Sequence, residues 1–93
     1  MTFETVSFEE AKKLIDKGAV LVDVRSKEEY EAGHIEGSIN IPHTEILTKA
    51  KSVLKDKNKP VIVYCNAAKR SKQAWDFLNY LGYKKICALD NMA

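Results

Sequence analysis

The alternation of short apolar runs with helical periods is the feature that most constrains the fold of this 93-residue chain. Val61–Tyr64 is the clearest run of strand-forming residues, and Ala19–Val24 is continuously apolar up to Asp23. Runs of this kind, without polar alternation, are typical of strands buried on both faces of a parallel sheet. The pattern therefore predicts an α/β fold: a doubly wound, mainly parallel sheet of about five strands with helices on both faces.

Helix-start signals separate the apolar runs. Ser7 with Glu10, and Ser26 with Glu29, have the spacing of a capping box, in which each side chain accepts a hydrogen bond from the other residue's backbone N–H. Four helices and two further strands complete the prediction. The helices run from Ser7 to Lys17, from Ser26 to about Ala32, from Ile46 to Leu54 and from near Ser71 to Leu81, and the strands are Ser38–Ile41 and Ile86–Leu89.

Length and composition limit the class of protein. The length fits a single domain over residues 1–93. With 15 basic and 13 acidic residues, the net charge of +2 does not predict a nucleic-acid partner. No apolar run approaches the roughly 20 residues of a membrane span. Two cysteines do not suggest a secreted disulfide scaffold, and the first residues do not have the pattern of a targeting segment, so we expect a cytoplasmic protein.

Cys65 follows the strand Val61–Tyr64 directly and precedes a predicted helix. Open α/β sheets bind ligands at the carboxyl ends of their strands. The free amides at a helix start favour an anion, and Lys69 and Arg70 add positive charge nearby. These effects favour the reactive thiolate form of Cys65. The alternative interpretation is that Cys65 is a small buried apolar residue at a strand end.

The residues after Cys65 are small. Ala67 and Ala68 permit a tight loop whose backbone N–H groups turn inward, which is the geometry of an anion-binding nest. The loop therefore predicts a site for an anionic small molecule next to a nucleophilic thiol.

Four segments resemble the motifs of the rhodanese-like domain family. Cys65–Ser71 resembles the family's active-site loop, Cys-x-x-Gly-x-Arg-Ser, and Leu21–Arg25 resembles its Asp-x-Arg strand end. Glu28–Pro42 resembles the long motif Glu-Tyr…Gly-His-Ile-x-Gly-Ala-x-Asn-Ile-Pro, and Leu81–Tyr83 matches the helix end after the loop. The resemblance runs from about residue 4 to residue 90, and the ordered combination of motifs is specific.

The resemblance implies a thiosulfate sulfurtransferase in which Cys65 is the nucleophile and carries the transferred sulfur as a persulfide. It implies an anionic donor such as thiosulfate, an acceptor such as cyanide, a thiol or an acceptor protein, and neither a metal nor an organic cofactor. The implied substrate-binding residues, whose backbone amides would cradle the persulfide, are Asn66, Ala67, Ala68, Lys69 and Arg70. Of their side chains, that of Arg70 is expected to bind the negative charge of the donor.

Two departures from the family pattern stand out. Ala68 occupies the position where the family usually has glycine, and a positive φ there would cost alanine about 1 kcal/mol or more. The family commonly continues beyond its last strand with a Gly-Gly pair and a further helix. Here the chain ends with residues 89–93, so we expect that C-terminal helix to be missing or shortened.

Several other residues have structural interpretations. The resemblance implies that Asp23 orders nearby backbone and that Arg25 pairs with a carboxylate such as Glu29. We expect His34 to make a fixed hydrogen bond that shapes its loop, and His43 to start a helix. Trp75 is predicted to lie in the core, and Cys87 to be a buried structural thiol on a strand.

Two other functions compete with sulfur transfer. Phosphatases and arsenate reductases of a related fold use a Cys-x5-Arg loop, whereas here the arginine comes one position earlier and Ser71 stands in its place. Rhodanese-like domains also act as binding or regulatory modules, usually when the cysteine is absent. The presence of Cys65 favours the enzyme.

Overall fold

The computed structural model describes residues 4–66 and 68–89. Its strands are β1 (Glu4–Val6), β2 (Val20–Asp23), β3 (Ile39–Asn40), β4 (Val61–Tyr64) and β5 (Ile86–Leu89). They form one sheet in the order β1-β5-β4-β2-β3, and every neighbouring pair is parallel. The predicted parallel α/β sheet is confirmed, and β1 is the strand that the sequence patterns did not locate.

The helices of the described residues are α1 (Phe8–Asp16), α2 (Lys27–Ala32), α3 (Ile46–Val53) and α4 (Ala68–Tyr80), with a 3-10 turn at His43–Glu45 before α3. The expected helix start at His43 is confirmed in the form of this turn. The predicted start of the last helix near Ser71 is wrong, because α4 begins at Ala68. Ala68, Lys69 and Arg70 all have high helix propensities, so the helix extends back towards Cys65.

Both predicted capping boxes are present. At the start of α1, Glu10 N donates to Ser7 Oγ over 3.1 Å and Ser7 N donates to Glu10 Oε1 over 3.1 Å. At the start of α2, Glu29 N donates to Ser26 Oγ over 3.2 Å and Ser26 N donates to Glu29 Oε1 over 3.1 Å. Each box satisfies two backbone donors around the helix start and fixes the direction in which the chain enters the helix.

Helices cover both faces of the sheet, as predicted. Along β4, Val61 and Val63 pack into the cluster that contains the apolar residues of α3 and α4, whereas Ile62 and Tyr64 pack into the cluster that contains Ala11 of α1. This alternation follows from the period of two along a strand. All four β4 residues are therefore buried, and β4 is a rigid support for the residue that follows it.

The carboxyl ends of β4 and β2 define the point from which the site is built. From β2 the chain moves outward to β3 on one side, and from β4 it moves outward to β5 on the other. The order thus reverses between β2 and β4, and such a reversal opens a crevice at the carboxyl ends of the two strands. Asp23, the last residue of β2, is paired in register with Tyr64, so Cys65 lies beside this crevice.

The expectation of a missing or shortened C-terminal helix concerns residues 90–93, which lie outside the described residues. Among the helices of residues 4–66 and 68–89, none has the length and apolar character that crossing a membrane requires.

Candidate active site

Cys65 lies at the edge of the core, directly after β4. It is 9% exposed and belongs to the apolar cluster under α3 and α4. Its Sγ lies 3.8 Å from Oδ1 of Asn66, within reach of a weak S–H donor. The thiol therefore has fixed packing on one side and a polar neighbour on the other, so a bound reactant would meet it in a restricted orientation.

Arg70 lies in the first turn of α4 and turns back towards Cys65. Its Nη1 donates to Glu29 Oε1 over 2.7 Å, and its Nη2 donates to Glu29 Oε2 over 3.2 Å. Nη2 also donates to Asn66 Oδ1 over 2.7 Å. Asn66 thus contacts both the thiol and the guanidinium, and the three side chains of Cys65, Asn66 and Arg70 form one polar group.

The electrostatics place the charge of Arg70 beside the sulfur. The hydrogen bonds to Glu29 are the main reason that the pKa of Arg70 is raised above its usual value, and burial opposes them. Attraction to the negative charge of a Cys65 thiolate raises the pKa of Arg70 further. A guanidinium in this position can donate hydrogen bonds to an anionic reactant that approaches the sulfur.

Glu29 is a residue of the candidate site that the sequence patterns missed. The hydrogen bonds from Arg70, and next the bond from the Ser26 backbone, lower the pKa of Glu29 from 4.5 to about 2. Its side chain is 35% exposed, and that of Arg70 is 25% exposed. The contact follows from the sheet topology, because α2 follows β2 and α4 follows β4, and helices that follow neighbouring parallel strands start at the same edge of the sheet.

The prediction that Arg25 pairs with a carboxylate is confirmed, but the suggested partner, Glu29, is wrong. Arg25 instead pairs with Asp23: Nε donates to both carboxylate oxygens over 3.0 and 3.1 Å, and Nη2 donates to Oδ2 over 2.8 Å. Residues two positions apart in an extended chain point to the same side, which brings these two together. The expectation that Asp23 orders nearby backbone is confirmed, since Arg25 N donates to Asp23 Oδ1 over 2.9 Å.

The chain from α2 to β3 is tied down around this pair. Arg25 Nη2 donates to the carbonyl of Gly33 over 2.7 Å, and Tyr30 Oη donates to the carbonyl of Ser38 over 2.7 Å. The fixed hydrogen bond expected for His34 is confirmed: its Nδ1 lies 2.8 Å from the carbonyl oxygen of Tyr30, and its ring stacks on the Tyr30 ring at 3.7 Å. His34 therefore shapes the loop.

The remaining residues of the predicted site lie around the start of α4. Asn66 and Lys69 are exposed, and Ala67 lies outside the described residues. Ala68 is the first residue of α4, where the helical φ is negative and alanine is a favourable residue. The cost that a positive φ would have imposed on alanine therefore does not arise.

The prediction that Trp75 lies in the core is confirmed, whereas Cys87 lies on a strand as predicted but is only partly buried. Trp75 is 4% exposed, and its Nε1 donates to the carbonyl of Ile86 over 3.1 Å. Cys87 lies on β5, partly buried, and packs against the cluster on the α1 face; burial is the main reason that the pKa of its thiol is raised. Both cysteines are free, and they belong to opposite faces of the sheet.

Comparisons with known proteins agree with this architecture. A family model described as "Rhodanese-like domain" matches residues 7–91. Thiosulfate sulfurtransferase PspE of Escherichia coli (strain K12) is 42% identical over 65 residues, which are 70% of this chain and 62% of PspE. Thiosulfate sulfurtransferase GlpE of Pseudomonas fluorescens (strain SBW25) is 33% identical over 88 residues, 95% of this chain and 79% of GlpE.

Among solved structures, a rhodanese with anions from E. coli superposes with a TM-score of 0.73 at 37% identity, covering 82% of this chain and 93% of that one. The alignment with PspE thus spans less than two thirds of that relative's length, whereas the alignment with the solved rhodanese spans nearly all of it.

Proposed function

Because this chain belongs to the rhodanese-like domain family, we propose that it is a sulfurtransferase. It moves sulfane sulfur from an anionic donor such as thiosulfate to a thiophilic acceptor, cyanide or a thiol, through a persulfide on Cys65. The observation that carries the proposal is the position of Cys65, at the carboxyl end of β4 with the Arg70 guanidinium beside it. Residues 1–93 would act as one domain.

The chemistry proceeds in two displacements at sulfur. The Cys65 thiolate attacks the outer sulfur of thiosulfate, a new S–S bond forms, and sulfite leaves with the electrons of the old S–S bond. The acceptor then attacks the terminal sulfur of the persulfide, and the electrons of that bond return to Cys65 as thiolate. With cyanide the product is thiocyanate. Covalent catalysis of this kind gives ping-pong kinetics.

The residues after Cys65 have separate roles in this proposal. The backbone amides of residues 66–70 stabilise the negative charge of the persulfide. Arg70 binds the charge of the donor with its remaining N–H groups, and Lys69 adds a mobile, exposed positive charge. The solved relative from E. coli, a rhodanese with anions, supports an anionic ligand for this chain as well.

Burial and the state of the cysteines also bear on the class of sulfur acceptor and on the cellular compartment. Cys65 is 9% exposed at the carboxyl end of β4, where ligands bind in such sheets, and this position supports a small thiol or an exposed thiol of an acceptor protein as the physiological acceptor. Two free cysteines support a reducing compartment such as the cytoplasm.

Intact-protein mass spectrometry after incubation with thiosulfate tests the proposal. We expect the parent protein and Cys87→Ser to gain one sulfur atom, and Cys65→Ser to gain none. Cys87→Ser is the matched control, because it removes the other thiol of the chain on the opposite face of the sheet. A parent protein that stays at its unmodified mass would overturn the proposal.

The competing functions give different results in the same samples. Turnover of a phosphate ester without sulfur gain would support a phosphatase, although Arg70 lies one residue closer to the cysteine than a Cys-x5-Arg loop requires. Equal background rates of thiosulfate:cyanide transfer for the parent and Cys65→Ser would support a non-catalytic binding module.

A further inference from the structure

We propose that Glu29 is a positioning residue of the sulfur-transfer site, which holds the Arg70 guanidinium so that the N–H groups not bound to Glu29 or Asn66 face the donor anion next to Cys65. This inference rests on the proposed function. It concerns a residue 41 positions away from Arg70 in the sequence and on a different helix.

The hydrogen bonds of Arg70 determine which donors remain. A guanidinium has five N–H groups in a rigid planar fork. One N–H of Nη1 and one of Nη2 bind Glu29, and the second N–H of Nη2 binds Asn66. Arg70 also interacts with the Cys65 side chain. The N–H groups that do not bind Glu29 or Asn66 therefore lie next to the thiol that a donor anion would approach. The fork is therefore oriented by two partners, and its plane is set before a donor arrives.

Glu29 is itself held in place. Its Oε1 accepts a hydrogen bond from Ser26 N, and its own backbone N–H is bound by Ser26 Oγ. The loop that follows α2 is anchored by two hydrogen bonds. Arg25 Nη2 donates to the carbonyl of Gly33, and Tyr30 Oη donates to the carbonyl of Ser38. These bonds also hold α2, the helix that carries Glu29. Because the carboxylate is already ordered by the helix cap, forming the pair costs little further side-chain entropy for Glu29.

The carboxylate also cancels most of the long-range charge of Arg70. The pair has no net charge, so it attracts a distant anion only weakly. Its contribution to catalysis comes mainly from hydrogen bonds of fixed direction. Removing the Glu29 charge would free the arginine to move and would add one net positive charge. We therefore expect the chemical step to slow while the affinity for a dianionic donor does not fall.

The substitution Glu29→Gln isolates this role. Glutamine is accepted at the same position of a capping box, so the start of α2 keeps its cap. The matched control is Glu10→Gln in the capping box of α1, which has the same bonds to Ser7. The side-chain hydrogen bonds of Glu10 among the described residues go to that cap and not to an arginine.

The measurement is the single-turnover rate of persulfide formation over a range of thiosulfate concentrations. For Glu29→Gln we expect the rate at saturation to fall about tenfold, equivalent to about 1.4 kcal/mol, with a half-saturating concentration equal to or below that of the parent. Glu10→Gln should keep the parent rate. A purely structural role would instead reduce the amplitude and leave the rate of the folded fraction unchanged.

A double-mutant cycle with Arg70→Ala tests whether Glu29 acts through Arg70. In the Arg70→Ala background we expect Glu29→Gln to change the rate by less than about twofold, because coupled residues are non-additive. If Glu29→Gln does not fold, Arg70→Lys tests the same point, since lysine keeps the charge but cannot bind both carboxylate oxygens as a fork.

The outcomes separate this inference from the proposed function. A parent protein that gains no sulfur contradicts the proposed function. A parent that gains sulfur, with Glu29→Gln or Arg70→Lys reacting at the parent rate, overturns the positioning role and leaves sulfur transfer intact. Fully additive effects of the two substitutions in the double-mutant cycle also overturn the positioning role.

Discussion

Two arginine–carboxylate pairs lie at the carboxyl edge of the same sheet, and they differ in almost every respect. The side chains of Asp23 and Arg25 are 0% and 8% exposed and lie two residues apart. Those of Glu29 and Arg70 are 35% and 25% exposed and join α2 to α4 across 41 residues. Both residues of the first pair lie at the end of one strand, whereas the second pair links two helices beside a thiol.

The two arginines differ in how completely their surroundings enclose the guanidinium. Arg25 donates to Asp23 and to the carbonyl of Gly33, and its guanidinium lies 5.1 Å from the centroid of the Tyr64 ring, so it is enclosed on several sides. Arg70 is held by the same kind of bidentate contact, but it is partly exposed to solvent and lies beside the Cys65 thiol. Similar pairing chemistry therefore encloses one arginine within a strand end and leaves the other partly exposed beside the Cys65 thiol.

The largest effect that tests this comparison is on stability. Arg25→Ala leaves the fully buried carboxylate of Asp23 without its cation, and we expect the free energy of unfolding to fall by about 3–5 kcal/mol. Arg70→Ala removes a partly exposed pair and should cost about 1 kcal/mol or less. Urea unfolding at neutral pH measures both, and equal losses for the two variants would contradict the division into a structural and a binding pair.

Activity should show the opposite order. Arg70→Ala removes the N–H groups that face the donor, so we expect kcat/KM for thiosulfate to fall at least about tenfold, or about 1.4 kcal/mol. The assay is thiosulfate:cyanide transfer, with the fraction of folded protein checked by circular dichroism. An unchanged kcat/KM would refute a role for Arg70 in binding the donor.

The two capping boxes give a smaller and sharper contrast. Ser7→Ala and Ser26→Ala each remove one N-cap acceptor, and we expect each to lower the free energy of unfolding by about 1 kcal/mol. Only Ser26→Ala should also slow persulfide formation, because Glu29 loses the Ser26 hydroxyl that binds its backbone N–H and holds it opposite Arg70. Thermal melts and single-turnover rates on the same preparations separate the two effects. Equal rates for both variants would mean that the cap does not help to orient the site.

The parts of the fold that local residues determine were predictable. The buried strand β4, the capping boxes and the reactive position of Cys65 all follow from short segments of sequence. β1 was not located because it is a three-residue strand whose partner, β5, lies at the other end of the chain, so that its place depends on a non-local register.

The pairing of the charged residues was less predictable for the same reason. Four positions in sequence separate Arg25 from Glu29, which made them plausible partners, but Arg25 reaches Asp23 on its own side of the strand end. Glu29 is then free to bind Arg70, which only the neighbouring positions of β2 and β4 bring within reach. Sequence alone pointed to the proposed nucleophile and the arginine beside it, and the tertiary structure was needed to find the carboxylate that binds this arginine.

The smallest predicted effect is the acid dependence of the Glu29–Arg70 pair. The pKa of Glu29 is lowered from 4.5 to about 2, mainly by Arg70, so its folded state binds a proton less readily than its unfolded state. The stabilisation is therefore fully present above about pH 4.5 and is lost as the pH falls towards 2. We expect the difference in free energy of unfolding between the parent and Glu29→Gln to shrink over that interval, as measured by urea unfolding at pH 5, 3 and 2.

The pKa of Glu10 is also lowered, mainly by the Ser7 backbone hydrogen bond, so Glu10→Gln should show the same sign without any contribution from an arginine. A difference for Glu29→Gln that stays constant down to pH 2 would mean that the carboxylate and Arg70 are not ion-paired in solution.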